Sequence, residues 1–411
     1  MADTLLAREG HWQFPVLTGF LEAPILTLDG RVIRDTGYDA ASGLYLTTRF
    51  DMAPMDEVPA QQAQEAADRL AEIVSTFPFV SESDRAGALA MMMTAVMRRV
   101  LPTAPFGAIS ASTPATGKSL LADVISVIAT GRRGSAMALG NEHAELEKRV
   151  DAALLDGDPL VVIDNIDRAV RSDVLCQVAT QTSKTVRVLG YSRKVESPTN
   201  VCWLLTGNNL TVLGDLTRRV VMIALEAEIE RPEEREFDRD AIDYAHAVRE
   251  QAVRDCIAVS LGYIQAGEPG VGVVPYGSFE SWDRMVRRPL VWAGFPDPLH
   301  RARELREEDH EFLGMRALME EIERLYGKEG RTAAEIMDAA RDTFQRENGA
   351  FEPVNPDLHA AMAMLLGDGP RANASALGYK LRSWHGRIIA GRRIGKAPKH
   401  GHMVRWRIER A

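Results

Sequence analysis

The stretch Phe106-Gly107-Ala108-Ile109-Ser110-Ala111-Ser112-Thr113-Pro114-Ala115-Thr116-Gly117-Lys118-Ser119-Leu120-Leu121 joins an apolar run to a helix-forming one through a short loop of small residues. A buried strand, a tight turn and a helix N-terminus in that order aim backbone N–H groups at one point, which suits a phosphate. Thr113, Pro114, Ala115, Thr116, Gly117, Lys118, Ser119 and Leu120 are therefore the candidate phosphate-binding residues. Lys118 would reach the β and γ oxygens of a nucleotide as a point charge, and the Ser119 hydroxyl would complete the coordination of Mg²⁺. The loop departs from the G-x-x-x-x-G-K-[ST] pattern. Ser112 stands in place of the first glycine, and Ala115 occupies a turn where glycine would let the backbone approach most freely. Taken alone, Gly-Lys-Ser fits a helix cap as readily as a phosphate loop.

Three further segments make a constellation of it. Pro159-Leu-Val-Val-Ile-Asp164-Asn165 is a short apolar run closed by an acid, the pattern of a buried parallel strand ending in a carboxylate. Asp164 would hold Mg²⁺ through water, or else merely cap the next segment. Hydrolysis also uses a second carboxylate to polarise water, and since Asn165 is the next residue, that role falls to Asp167 or to a residue not identified from the pattern. Val201-Cys-Trp-Leu-Leu205 leads into Thr206-Gly207-Asn208-Asn209, presenting Asn208 to a γ-phosphate or an attacking water, unless this is an ordinary Gly-Asn turn. Gly214-Asp215-Leu-Thr-Arg218-Arg219 then places two arginines before another strand. Guanidinium suits the charge that develops in phosphoryl transfer and is often supplied in trans; the alternative is a solvated surface pair.

The constellation resembles the AAA+ ATPases of the superfamily 3 helicase type, and more closely the helicase portion of the primase-helicase replication proteins of phages, prophages and plasmids. The resemblance rests on Pro114–Leu121, Val161–Asn165, Thr206–Asn209 and Asp215–Arg219, and extends upstream to Pro24–Gly30 and Gly37–Tyr45. It implies a P-loop AAA+ core with a parallel sheet and ATP and Mg²⁺ as cofactors. Asn208 would act as a sensor of the γ-phosphate. Arg218 or Arg219 would reach a neighbour's nucleotide in a homo-oligomer, most simply a hexameric ring. No primase domain precedes the motor, so a separate primase is an expected partner. Between Asp164 and Asn208, Lys184–Pro198 alternates around Gly190-Tyr191-Ser-Arg193 and reads as a β-hairpin. By the resemblance it would line the ring's channel and touch single-stranded DNA through Tyr191, Arg193 and Lys194. A plain surface hairpin fits the pattern nearly as well.

Composition is compatible with this reading. In 411 residues, 45% are hydrophobic and 26% charged, enough for sizeable cores in two to four domains. Cys176, Cys202 and Cys256 show neither pairing nor metal spacing, so a reducing cytoplasm is expected. The longest apolar run, near Ala88–Met97, is too short to cross a bilayer and reads as a buried helix, so no membrane association is expected. A net charge of −9 argues against a general nucleic-acid coating protein. Basic residues instead gather at the C-terminus, where from Arg371 onward Glu409 is the single acid.

Asn373–Trp384 has the pattern of a capped amphipathic helix, followed by alternating segments Gly386–Ile394 and His402–Ile408 around a connection at 395–401. Helix then basic hairpin is a winged-helix layout that would grip duplex DNA through Lys380, Arg387, Arg392, Arg393, Lys396 and Lys399. The same charges would otherwise keep a small domain soluble or dock a protein.

The expected architecture is α/β. An N-terminal β-rich module and linker occupy 1–59, a helical bundle 60–104, the P-loop core 105–230, a helical domain 231–325 and a winged-helix domain 326–411. The function expected is an ATP-dependent DNA helicase or replication-initiator motor of a mobile genetic element. The alternatives are a weakly hydrolysing DNA-binding scaffold or regulator on the same fold, and an ATP-driven remodeller of a protein partner.

Overall fold

The computed structural model describes residues 14–140, 142–187, 194–227, 239–345, 351–367, 372–389, 391–400 and 403–410. Side chains at 305–311, 399–400 and 403 lie outside that description. The chain divides into two compact units, Met1–Ala302 and Arg303–Ala411.

In the first unit, five short strands come first: β1 (Gly19–Leu21), β2 (Ile25–Leu26), β3 (Val32–Ile33), β4 (Gly37–Asp39) and β5 (Leu44–Leu46). Strands β2 and β3 form an antiparallel hairpin whose turn holds Gly30 at φ +85°, a left-handed conformation open to glycine. Strand β5 pairs with β1 in parallel and with β4 antiparallel, a non-sequential arrangement that local alternation does not reveal.

Helices α1 (Ala60–Ile73) and α2 (Glu82–Met97) come next. Ser81 caps α2 by accepting from the Asp84 N–H, and nearly all of α2 is buried, as its run of Ala, Leu and Met requires. Asp84 itself is fully buried and accepts the Ala224 N–H at 2.8 Å and the Ser81 hydroxyl at 2.6 Å. Burial holds its carboxyl above the ordinary range, against the pull of those hydrogen bonds.

Arg98, one residue past α2, is 2% exposed. Its guanidinium donates to the carbonyls of Leu101 at 2.5 Å, Thr199 at 2.7 Å and Val201 at 3.0 Å, and no described carboxylate pairs with it. Burial pulls its pKa down to about 10, so it remains charged at neutral pH.

The core of this unit is a five-stranded parallel sheet. Its strands are β6 (Phe106–Ala111), β7 (Ser135–Ala138), β8 (Leu160–Ile166), β11 (Cys202–Asn208) and β12 (Val220–Leu225), in the order β12-β6-β11-β8-β7. All but the edge strand β7 are buried for almost their whole length, which is why they read as apolar runs rather than alternating ones. Connections run through α3 (Lys118–Thr130), α4 (His143–Asp156) and α5 (Asp173–Thr180).

Between α5 and β11 the chain forms an antiparallel pair, β9 (Ser183–Arg187) and β10 (Lys194–Pro198). Lys184 on β9 is buried and ion-paired to Asp151 and Glu147 of α4, which ties the base of this hairpin to the core. The long helix α6 (Ala241–Gln265) packs on α1 and α3. After it come α7 (Glu280–Trp282), a π-helical turn at Asp283–Arg287 and α8 (Arg288–Trp292). Trp282 is fully buried, its indole N–H donating to the Thr94 hydroxyl of α2 at 2.7 Å, and Trp292 packs edge-on to Tyr263. Trp282 and Phe295 belong to the core, and Trp292 is half-buried beside it.

Helix α9 (His300–Tyr326) runs from the end of the first unit into the second. There β13 (Arg331–Thr332), α10 (Ala333–Arg341), the hairpin β14 (Thr343–Gln345) and β15 (Phe351–Pro353), α11 (Pro356–Leu366) and α12 (Ala374–Ser383) lead into β16 (Ile388–Ile389), β17 (Arg392–His400) and β18 (Met403–Arg410). Thr332 and Glu335 form a reciprocal capping box at the start of α10, and Asn373 caps α12 by accepting from the Ala376 N–H. The antiparallel sheet order is β13-β18-β17-β16, over a core that includes Met319, Ile336, Leu358, Leu377, Leu381 and Trp406. The basic segments differ from the sequence expectation in extent. Strand β17 continues to His400 through residues expected as a connection, and the Gly386–Ile394 segment is split between β16 and β17 by Gly391 at φ +74°.

Candidate functional site

Three strands of the parallel sheet end side by side. Beyond the carboxyl end of β6 the chain turns through Ser112–Gly117 into α3; β8 ends in Asp164, Asn165 and Ile166; β11, between them, ends in Asn208. The carboxyl edge of an open parallel sheet is where such folds bind ligands, because loops and helix N-termini converge there.

The loop is closed by its own polar groups. Thr116 is 3% exposed and its hydroxyl donates to the Thr113 carbonyl at 2.7 Å. Gly117, at φ +99°, sets the direction of the α3 N-terminus, and Lys118 and Ser119 are the first helical residues. Ala115 has φ +58°, a left-handed conformation that costs an alanine about 1–2 kcal/mol. Backbone strain of this size persists where surrounding structure enforces it, commonly at binding loops.

The four residues expected to handle phosphate and metal meet one another. The Lys118 ammonium donates to Asn208 Oδ1 at 2.7 Å and to the Thr113 carbonyl at 3.2 Å. Ser119 Oγ donates to Asp164 Oδ1 at 2.9 Å. Partial burial pulls the Lys118 ammonium below its usual pKa, opposed by the Asp164 charge. One turn further along α3, Asp123 is held above its ordinary range by burial, while Arg133, 3.6 Å away, works in the opposite direction.

Thr206 was not singled out by the sequence pattern. Its hydroxyl donates to Asp164 Oδ1 and accepts the Asn165 N–H at 3.3 Å. This contact sits where the β11–β8 register slips between Leu205 and Gly207, with Asn165 at φ +55°. Gly207 is required there: a Cβ on it would lie 2.4 Å from the Ile166 carbonyl oxygen.

Other candidates stand apart from this cluster. Asp167 is exposed, and no hydrogen bond among the described residues ties it to Lys118, Ser119 or Asp164. Arg219 is ion-paired to Asp215 and also donates to its carbonyl at 2.7 Å, whereas Arg218 is exposed with no ion pair among the described residues. Lys194 is exposed at the start of β10; Tyr191 and Arg193 lie outside the described residues.

In the second unit, Arg392 pairs with Glu323 at 2.7 Å and Arg393 with Glu409 at 3.0 Å. Their charge is thus partly offset within the domain. Lys380 is half-buried on α12, Arg387 lies over the Trp384 ring at 5.0 Å, and Lys396 is exposed. The Lys399 side chain is outside the described residues.

A bound nucleotide and Mg²⁺ can be judged against the donor set. Ser119 Oγ and the Asp164 carboxylate supply the oxygen ligands a hard cation takes, directly or through water, and Lys118 with the α3 N-terminus supplies the positive charge that phosphate needs. The residues fit the group. Among the described residues no cluster of three or more His, Cys, Asp or Glu could hold a metal, and no helix is long and apolar enough to cross a membrane.

No family model and no curated protein matches the sequence. Among solved structures, the chain is similar to the A-form apo structure of the NrS-1 C-terminal region, with TM-score 0.37 and 12% identity over 90% of this chain and 83% of that one. Another apo structure of the NrS-1 C-terminal region (305–718) gives TM-score 0.36 and 13% identity over 90% and 83%. The X-ray structure of JCV helicase gives TM-score 0.24 and 11% identity over 58% of this chain and 68% of that one. At these scores the likenesses carry no argument about activity.

Proposed function

We propose that the chain is an ATP-dependent DNA motor of the helicase or replication-initiator kind, acting as a homo-oligomer. The observation that carries this is the convergence, at the carboxyl edge of one parallel sheet, of Lys118 on Asn208 and of Ser119 on Asp164. In this reading the loop Thr113–Leu120 takes the phosphates and Lys118 exchanges its bond to Asn208 for the β and γ oxygens. Asn208, released, faces the γ-phosphate. Ser119 and Asp164 would hold Mg²⁺, which would supply charge neutralisation for the phosphates. Arg218, exposed and unpaired among the described residues, suits a neighbour's nucleotide better than Arg219, which Asp215 holds. DNA would meet the β9–β10 hairpin in a channel, and the C-terminal unit would contact duplex through Lys380 and its neighbours, with the exposed Lys396 contributing more than the internally paired Arg392 and Arg393.

A second reading, a DNA-binding regulator that hydrolyses poorly, is favoured by Asn165 in place of a second acid and by the strained Ala115. Steady-state ATP hydrolysis with and without single-stranded DNA, with Lys118→Ala as the control, separates the two. The motor predicts turnover that rises with DNA and falls about 100-fold in the variant, roughly the loss of one charge-assisted phosphate contact. Nucleotide binding without Lys118-dependent turnover would favour the regulator, and no nucleotide binding would sink the motor.

A further inference from the structure

We infer that Thr206 is a positioning residue for Asp164, fixing the carboxylate in the orientation from which it would hold a hydrated magnesium ion; this rests on the nucleotide-binding reading above. Thr206 is 1% exposed, and a hydroxyl so buried has to find partners. It finds two on the neighbouring strand, donating to Asp164 Oδ1 and accepting from the Asn165 N–H at 3.3 Å. The Ser119 hydroxyl reaches the same Oδ1 at 2.9 Å from the start of α3. Two hydroxyls from different elements thus meet one carboxylate oxygen and set the plane of the group, while Oδ2 takes no hydrogen bond from the described residues.

Of the two hydroxyls, the one on Thr206 stays with the protein in every state. Ser119 must turn a lone pair to the metal, whereas the threonine is held inside the sheet by β11 and its stiff β-branched side chain. Magnesium tolerates little departure from octahedral geometry and keeps several waters, so a carboxylate free to rotate would serve it poorly. The register slip explains the position. Asn165 at φ +55° takes an extra place in β8, and Thr206 fills the opening with one group that satisfies both the displaced N–H and the carboxylate. Two residues further on the same strand lies Asn208, so one strand sets both the metal carboxylate and the partner of Lys118.

Removing the hydroxyl should therefore weaken magnesium-dependent binding and spare the phosphate contacts made by Lys118 and the loop. The test is equilibrium binding of a fluorescent ATP analogue to wild type, Thr206→Val and Thr206→Ser, in EDTA and across a Mg²⁺ titration. In EDTA the valine variant should bind within about twofold of wild type, while its Mg²⁺ half-saturation rises roughly 10-fold, the usual size of losing a group that orients a metal ligand. Serine, which restores the hydroxyl, should return it to within about threefold of wild type.

Unchanged Mg²⁺ half-saturation in the valine variant, equal loss of affinity in EDTA and in Mg²⁺, or no rescue by serine would each overturn the inference. If Thr206→Val does not fold, Thr206→Ala removes the same hydroxyl and is judged by the same criteria; failure of both to keep the EDTA affinity counts against it. A wild type that binds no nucleotide in either condition takes the nucleotide-binding reading down first and this inference with it. Normal Mg²⁺-dependent binding with an indifferent valine variant removes the inference alone.

Discussion

Gly207→Ala tests whether β8 and β11 must approach as closely as they do where Asp164 and Thr206 meet. The added Cβ would fall 2.4 Å from the Ile166 carbonyl oxygen, with the Ile166 carbonyl carbon at 3.2 Å. A tolerable C···O contact is about 3.3–3.6 Å, so the strands would have to separate locally by roughly 1 Å. The obstructing atom is backbone in a buried strand, which no rotamer change relieves. Overpacking of this kind costs about 1–3 kcal/mol. The opening also stretches the Thr206 bond to Asp164, a hydrogen bond to a charged group contributing about 1.5–3 kcal/mol. Since the two effects share one displacement they do not add fully, and about 3 kcal/mol of destabilisation is expected. Urea denaturation followed by circular dichroism would show it as a lower midpoint at unchanged slope. The Mg²⁺ half-saturation of nucleotide binding should rise along with it. A loss below about 1 kcal/mol, with metal dependence untouched, would show that the strands yield freely and that the contact geometry is not a constraint.

Ala115→Gly should stabilise the chain by about 0.5–1 kcal/mol, the relief of left-handed strain less the entropy glycine adds to the unfolded state. A thermal melt showing destabilisation would contradict it. Asp84→Asn should be at least as stable as wild type at pH 7, because asparagine keeps the helix cap and removes a charge that burial penalises. The sign comes from a folded-state pKa above the unfolded one. The charged carboxylate costs stability above its folded pKa, and that cost disappears as the pH falls through it. The variant's advantage should therefore shrink in parallel urea titrations as the pH is lowered from 7 toward the ordinary aspartate value of 3.8, and an advantage that widened instead would reverse the assignment.

Much of the site could be read from the sequence because its parts are punctuated locally. Lys118, Ser119, Asp164 and Asn208 each come after an apolar run that can only be a buried strand or the turn after one, and parallel strands place such ends together. Thr206 was hidden for the opposite reason. Its contact with Asp164 depends on a register slip between strands about forty residues apart, and a threonine before a glycine and two asparagines looks like part of a turn. The basic C-terminus shows the same limit. The helix-then-basic-hairpin pattern marks Arg392 and Arg393 as candidate DNA contacts, but it does not show that the fold brings Glu323 from α9 to Arg392, a pairing across a long stretch of chain that composition cannot reveal. Pairing Arg219 with Asp215, by contrast, needed only one turn of 3₁₀ helix.

Arg98 fixes where β11 can yield. By grasping the carbonyls of Thr199 and Val201 as well as that of Leu101, it rivets the beginning of the strand to the end of α2. A strand fastened in this way cannot slide as a piston. In the proposed reading, what Asn208 would feel of a phosphate would leave through the turn beyond it, where Asn209 sits at φ +48° and the Leu210 N–H rests on the Ser110 hydroxyl at 3.0 Å. The strand is then a fixed beam, and under the proposed function the route from a nucleotide to the rest of the unit would start at residues 209–213, which hydrogen-bond Val170 beyond the end of β8.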